Sequence, residues 1–89
     1  MSLAKIRATM ATIPDLQEHL ERIDRQLLAL LEERVDVVEE LKDQGEEMDP
    51  KELEEDMVAF CLEEAVDRGL DEGDTEKVMR AVNHLRRAA

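Results

Sequence analysis

From Ile13 to Leu41 the apolar positions step by three and four without a break, through Leu16, Leu20, Ile23, Leu27, Leu30 and Val37, and at Arg34 the same stripe carries a guanidinium. That spacing holds one face of an α-helix in register for roughly thirty residues and excludes a strand, whose faces alternate every second residue. Leu28, Leu31, Val35 and Val38 widen the stripe to a second flank, which suits a helix packed on more than one neighbour. A cation inside such a seam needs an anion or hydrogen-bond acceptors beside it, so Arg34 is the first candidate for function.

The remaining chain supplies punctuation for two further helices. Residues 1–12 are small, mixed and weakly patterned, and read as a flexible leader. Thr12 can cap the first helix, with Pro14 in its first turn and Asp15 near its positive end, and the helix is expected to run to about Lys42. Asp49-Pro50-Lys51-Glu52 restarts a helix in a capping-box arrangement with Asp as the cap. That second helix carries Leu53, Met57, Val58, Phe60, Cys61, Leu62, Ala65 and Val66. Gly69 is placed to take a left-handed conformation after it, with Leu70 folding back. Asp71–Asp74 reads as a turn around Gly73, and Asp74 or Thr75 as the cap of a third helix. Its inward residues would be Val78, Met79, Val82 and Leu85, and its outward ones Arg80, Arg86 and Arg87. The expected fold is all-α: one domain over 13–89, with a long helix followed by two shorter ones. At about 1.5 Å per residue the three helices span roughly 45, 28 and 20 Å. Two short helices cannot cover both flanks of the long one, so a homodimer is expected, with long helices of two chains in contact.

A formal charge of −12 disfavours nucleic acid and an anionic membrane surface as partners, since both need clustered Lys and Arg. The single cysteine, Cys61, sits in an apolar run and cannot close an intrachain disulfide, which fits a reduced cytoplasm. No window is apolar and long enough to span a bilayer. His19 and His84 have no spaced carboxylate or second histidine nearby in sequence, so no metal site is expected. Gly45, Gly69 and Gly73 stand alone and form no phosphate-binding loop. For Arg34 two readings stay open. It is a snorkelling arginine, or one paired with a seam carboxylate such as Asp24 or Glu33; or it grips a ligand carboxylate in a pocket between helices.

The run Ile23-Asp24-Arg25-Gln26-Leu27-Leu28-Ala29-Leu30-Leu31-Glu32-Glu33-Arg34 resembles the first helix of the all-helical (type II) chorismate mutases, whose pattern is Ile-Asp, a Leu/Ile-rich stretch and then Arg. The long-short-short helix order and the Asp-Pro start of the second helix extend the resemblance over roughly residues 14–88. It implies an intertwined homodimer with sites between helices of both subunits, acting in the shikimate pathway of aromatic amino acid biosynthesis. The implied reaction rearranges chorismate to prephenate without a cofactor, by holding a dicarboxylate in a compact conformation and placing donors on the ether oxygen. Arg34 matches the arginine that grips a substrate carboxylate, and Asp49 the aspartate opening the second helix. The family's second first-helix arginine, which reaches into the partner's site, is replaced by Gln17, and its ether-oxygen lysine by Gly45, leaving Lys42 as the nearest substitute. The family's Arg-Glu pair falls at Glu52-Leu53, or at Lys51-Glu52 if the register slips by one. Its late polar residue falls at or beyond Ala89. Those replacements leave two further functions to weigh, a non-catalytic dimeric interaction or regulatory module on the same fold and an isochorismate pyruvate lyase-like enzyme.

Overall fold

In the computed structural model, residues 11–45 and 49–88 are described, and among them lie three helices: α1 (Ile13–Gln44), α2 (Pro50–Arg68) and α3 (Glu72–Asn83). The all-α class and the long-short-short order agree with the sequence pattern. The expected leader of residues 1–12 falls almost wholly outside the described residues. The chain divides into two compact units, Met1–Glu32 and Glu33–Ala89.

In the first unit, α1 opens on a reciprocal cap. The Asp15 N–H donates to Thr12 Oγ1 at 3.3 Å while the Thr12 N–H donates to Asp15 Oδ2 at 3.4 Å, so two N–H groups that the first turn leaves without backbone acceptors are matched. Leu16, Leu20, Ile23 and Leu27 are all exposed, between 45% and 57%.

The second unit is held by α2 and α3 packed on each other and by the last turns of α1. Its interior is small: Val35, Val58 and Ala65 are the buried apolar residues among those described. Burying a side chain such as Val58 contributes about 1.5–3 kcal/mol, so three do little more than fix the helices' mutual registry. On α2 the apolar residues surround the axis, which leaves Phe60 and Val66 outside while Val58 and Ala65 face in.

Capping sets the ends of both short helices. Asp49 Oδ1 accepts from the Lys51 N–H at 3.0 Å, and Pro50 takes the first turn, where a missing N–H costs nothing. Gly69 has φ 72°, with the Leu70 N–H donating to the Ala65 carbonyl and the Gly69 N–H to that of Val66, the pair of bonds expected when a left-handed residue ends a helix. The third helix starts earlier than its sequence suggests. Its cap is Asp71, whose Oδ2 accepts from the Asp74 N–H at 2.9 Å, so Gly73 lies inside the first turn and Asp74 and Thr75 are helical. Two aspartates three residues apart offer competing caps, and the chain uses the one that follows directly on Leu70. The helix also ends at Asn83, so Arg86 and Arg87 lie past it rather than in its last turn.

A carboxylate network ties α2 to α3. Arg80 donates to both Glu55 oxygens, at 3.0 and 3.3 Å, and to Glu76 at 3.0 Å. Those bonds raise the Arg80 pKa above its ordinary value and hold the Glu55 carboxyl below the usual range. Near the other end of the unit Arg87 clasps Asp36 at 2.7 and 3.0 Å, and its hydrogen bonds lower the Asp36 pKa. Arg80 and Glu76 are half-buried and the other groups exposed, so the main effect of these pairs is on registry, with little on stability.

Candidate anion site beside Arg34

Arg34 leaves α1 where the helix enters the second unit, and its half-buried guanidinium reaches α2 and α3. Nη2 donates to Asn83 Oδ1 at 2.6 Å, a short charge-assisted bond, and lies 3.7 Å from Met57 Sδ, a weak acceptor. Among the described residues no carboxylate pairs with Arg34, and its Nε and Nη1 donors have no partner. The first of the two readings is not met in full: Arg34 is neither extended into solvent nor neutralised by a seam carboxylate.

Met57 and Asn83 also line a cavity of about 300 Å³, at the small end of the range typical for ligand sites. Its apolar wall is Val38, Pro50, Leu53 and Met57, and its polar groups are Lys42, Lys51, Glu54, Asn83 and His84. A second hollow of about 280 Å³ shares Val38, Lys42, Asn83 and His84 with the first and adds Arg86 and Glu39. Lys42 therefore stands between two hollows, one also bordered by Lys51 and the other by Arg86. Neither Lys42 nor Lys51 is in an ion pair among the described residues. Glu54, a quarter exposed, is the carboxylate of the first hollow; its Oε2 lies 3.3 Å from His84 Nε2 and 4.0 Å from Arg80 Nη1.

The expected site residues separate into those the second unit gathers and those it does not. Arg34 bonds Asn83 without lining either hollow, and Lys42 lines both hollows together with Asn83. Asp49 spends an oxygen on capping α2, and Glu52 is exposed and outside the cavity lining. Of the Lys51-Glu52 pair in the slipped register, Lys51 is the member that stands beside Lys42. Gln17 is exposed on the first unit. Asn83, Glu54 and the His84 contact are not evident from the sequence. Asn83 follows directly on Val82, an inward apolar position, and the resemblance puts the late polar residue at or beyond Ala89. His84 lacks a carboxylate near it in sequence, yet α2 brings Glu54 to it. Among the described residues no group of three or more His, Cys, Asp or Glu side chains is arranged to hold a metal ion, and no helix is long and apolar enough to cross a membrane. In comparisons with known proteins the chain matches no family model, no curated protein and no solved structure.

Proposed function

We propose that this chain is a chorismate-mutase-like helical domain that binds a small dicarboxylate beside Arg34 and rearranges chorismate to prephenate, working as a homodimer. The observation that carries the proposal is a half-buried guanidinium with no carboxylate partner among the described residues, bonded to Asn83 and Met57, which line a cavity bordered by two lysines outside any ion pair, although Arg34 is not itself in that lining, in a chain of formal charge −12. An apolar wall with a few convergent donors is the composition expected of a pocket for a small anion.

The chemistry needs no cofactor. Within one substrate molecule the ether C–O bond breaks as a new C–C bond forms, so the protein contributes by confining the reacting ends and by donating to the oxygen as charge builds on it. Arg34 would hold one carboxylate through Nε and Nη1, and Lys42 would donate to the ether oxygen. Lys51 would supply a further cation, while Asp49 and Glu52, which lie outside the cavity lining, are the other positions the resemblance assigns to substrate. Gln17 stands at the position from which the family reaches into a partner's site, and offers a neutral amide there.

The homodimer is supported by the stripe of α1. Its leucines and isoleucines repeat along the helix while remaining about half exposed, and an isolated helix gains too little from its own hydrogen bonds to be stable uncovered. The stripe is self-complementary when two copies cross on a twofold axis. Equilibrium sedimentation should give a dimer; a folded sample showing only the 10.2 kDa species would refute it.

The assay is loss of chorismate on incubation with purified protein. Turnover above background, abolished by Arg34→Ala and strongly reduced by Lys42→Ala, is expected; no turnover at high protein concentration ends the enzyme proposal. Gly45 and Gln17, which replace a lysine and an arginine, favour a second function, a non-catalytic dimeric or regulatory module that binds the same anion without converting it. Pyruvate release from isochorismate would instead identify a lyase.

A further inference from the structure

We infer that Asn83 is a positioning residue that holds the Arg34 guanidinium without cancelling its charge, and so keeps this site open to a carboxylate or other oxyanion; the inference deepens the anion site proposed above and rests on it. Four other arginines are matched to carboxylates: Arg25 to Glu21, Arg68 to Glu64, Arg80 to Glu55 and Glu76, and Arg87 to Asp36. With 24 acidic residues in the chain, a carboxylate is the commonest partner; the exposed Arg22 and Arg86 are in no ion pair among the described residues, and the half-buried Arg34 receives an amide.

The amide's orientation follows from its partner. A guanidinium only donates, so the side-chain oxygen of Asn83 must face it, and Nδ2 is left buried with no acceptor among the described residues. A buried donor without an acceptor is unfavourable; an aspartate of the same shape would put an equally unmatched oxygen there but would turn the bond to Arg34 into an ion pair. The asparagine therefore forgoes an ion pair that an aspartate would supply, and leaves a held guanidinium with its full charge and with Nε and Nη1 unmatched among the described residues. Met57, the other neighbour of Nη2, is likewise uncharged.

The test is titration of inorganic sulfate into the full-length chain, with the Arg34 Nε–H resonance as the probe, alongside thermal melting and chorismate conversion. In the wild-type chain the resonance should respond saturably. In Asn83→Asp the affinity should fall about tenfold or more, since a carboxylate then occupies the charge, while the melting midpoint stays level or rises. A residue that served only the fold would not separate those two readouts. Should Asn83→Asp fail to fold, Met57→Glu brings a carboxylate to the same Nη2 and should produce the same loss. Wild-type affinity in a folded Asn83→Asp or Met57→Glu chain, or no sulfate response at Arg34 in the wild type, overturns the inference. A sulfate response without chorismate turnover leaves the inference standing and removes the mutase reaction alone.

Discussion

The Arg34–Asn83 bond can be measured apart from any activity by a double-mutant cycle. Arg34→Met keeps the apolar stem and removes the donor, while Asn83→Ala removes the acceptor. The 2.6 Å bond joins a cation to a neutral amide and is part-buried, and bonds of that kind contribute about 1.5–3 kcal/mol net. Partial exposure places it at the lower end. Arg34→Met should cost more than the bond itself, about 2 kcal/mol, because Asn83 then has neither its oxygen nor its Nδ2 matched. For a domain of this size that is about 10 °C in melting midpoint, against a total stability of about 5–15 kcal/mol, so the variant remains folded. Urea melts of both single variants and the double variant, at one protein concentration because assembly shifts the midpoint, give the coupling energy directly. The expected value is about 1.5 kcal/mol. Additive single effects, with coupling under about 0.5 kcal/mol, would mean that the two side chains do not bond in solution, and Asn83 could then not be what holds the guanidinium.

Val58→Ala should destabilise the second unit by about 2 kcal/mol in urea melts, because it removes two methyl groups from one of its few buried positions; a loss no larger than that of Phe60→Ala, whose ring is 62% exposed, would misplace the core. Gly69→Ala should cost about 1 kcal/mol by thermal melting from the left-handed backbone alone, since a Cβ there meets nothing within 4 Å; an unchanged midpoint would contradict the φ of 72°. The lowered pKa values of Asp36 and Glu55 mean that their bonds to Arg87 and Arg80 stabilise the fold at pH above the ordinary carboxylate range and are lost as pH falls through the folded-state values. Because these groups are solvent-exposed, the resulting drop in melting midpoint below roughly pH 4 should be small. The direct readout is the Glu55 carboxyl by NMR: it should titrate below the ordinary glutamate range in the wild type, and titration within that range would refute the Arg80 clamp.

Signals confined to a few neighbouring residues are legible in the sequence, and pairings across helices are not. Thr12 with Asp15, Asp49 with Pro50, and Gly69 with Leu70 each act within one helical turn, where bond geometry leaves few alternatives. The start of α3 is misread at the same scale because Asp71 and Asp74 are both competent caps, and local chemistry does not choose between them. Arg34 stands out because a cation breaks an apolar period. Its partner does not, since the facing residue depends on how α3 rotates about its axis, and that depends on Val58, Ala65 and the Arg80 network together. Glu54 and His84 escape notice for the same reason: neither is unusual on its own stretch of chain.

The site's electrostatics also depend on where charge lies more than on its total. A sum of −12 describes the field far from the protein, where it opposes the approach of an anion. Beyond about 10 Å at 0.1 M salt that field is largely screened, and what a bound anion meets is set by side chains within a few ångströms. At those distances Arg34 has an amide, Lys42 and Lys51 have no ion-pair partners among the described residues, and Glu54 lies within 4.0 Å of Arg80 and beside His84. The acidic excess is distributed over exposed helix faces, while Glu54, the carboxylate of the first hollow, has Arg80 and His84 beside it. An acidic chain can therefore hold an anion site without contradiction, provided the uncharged residues at 57 and 83 stay uncharged.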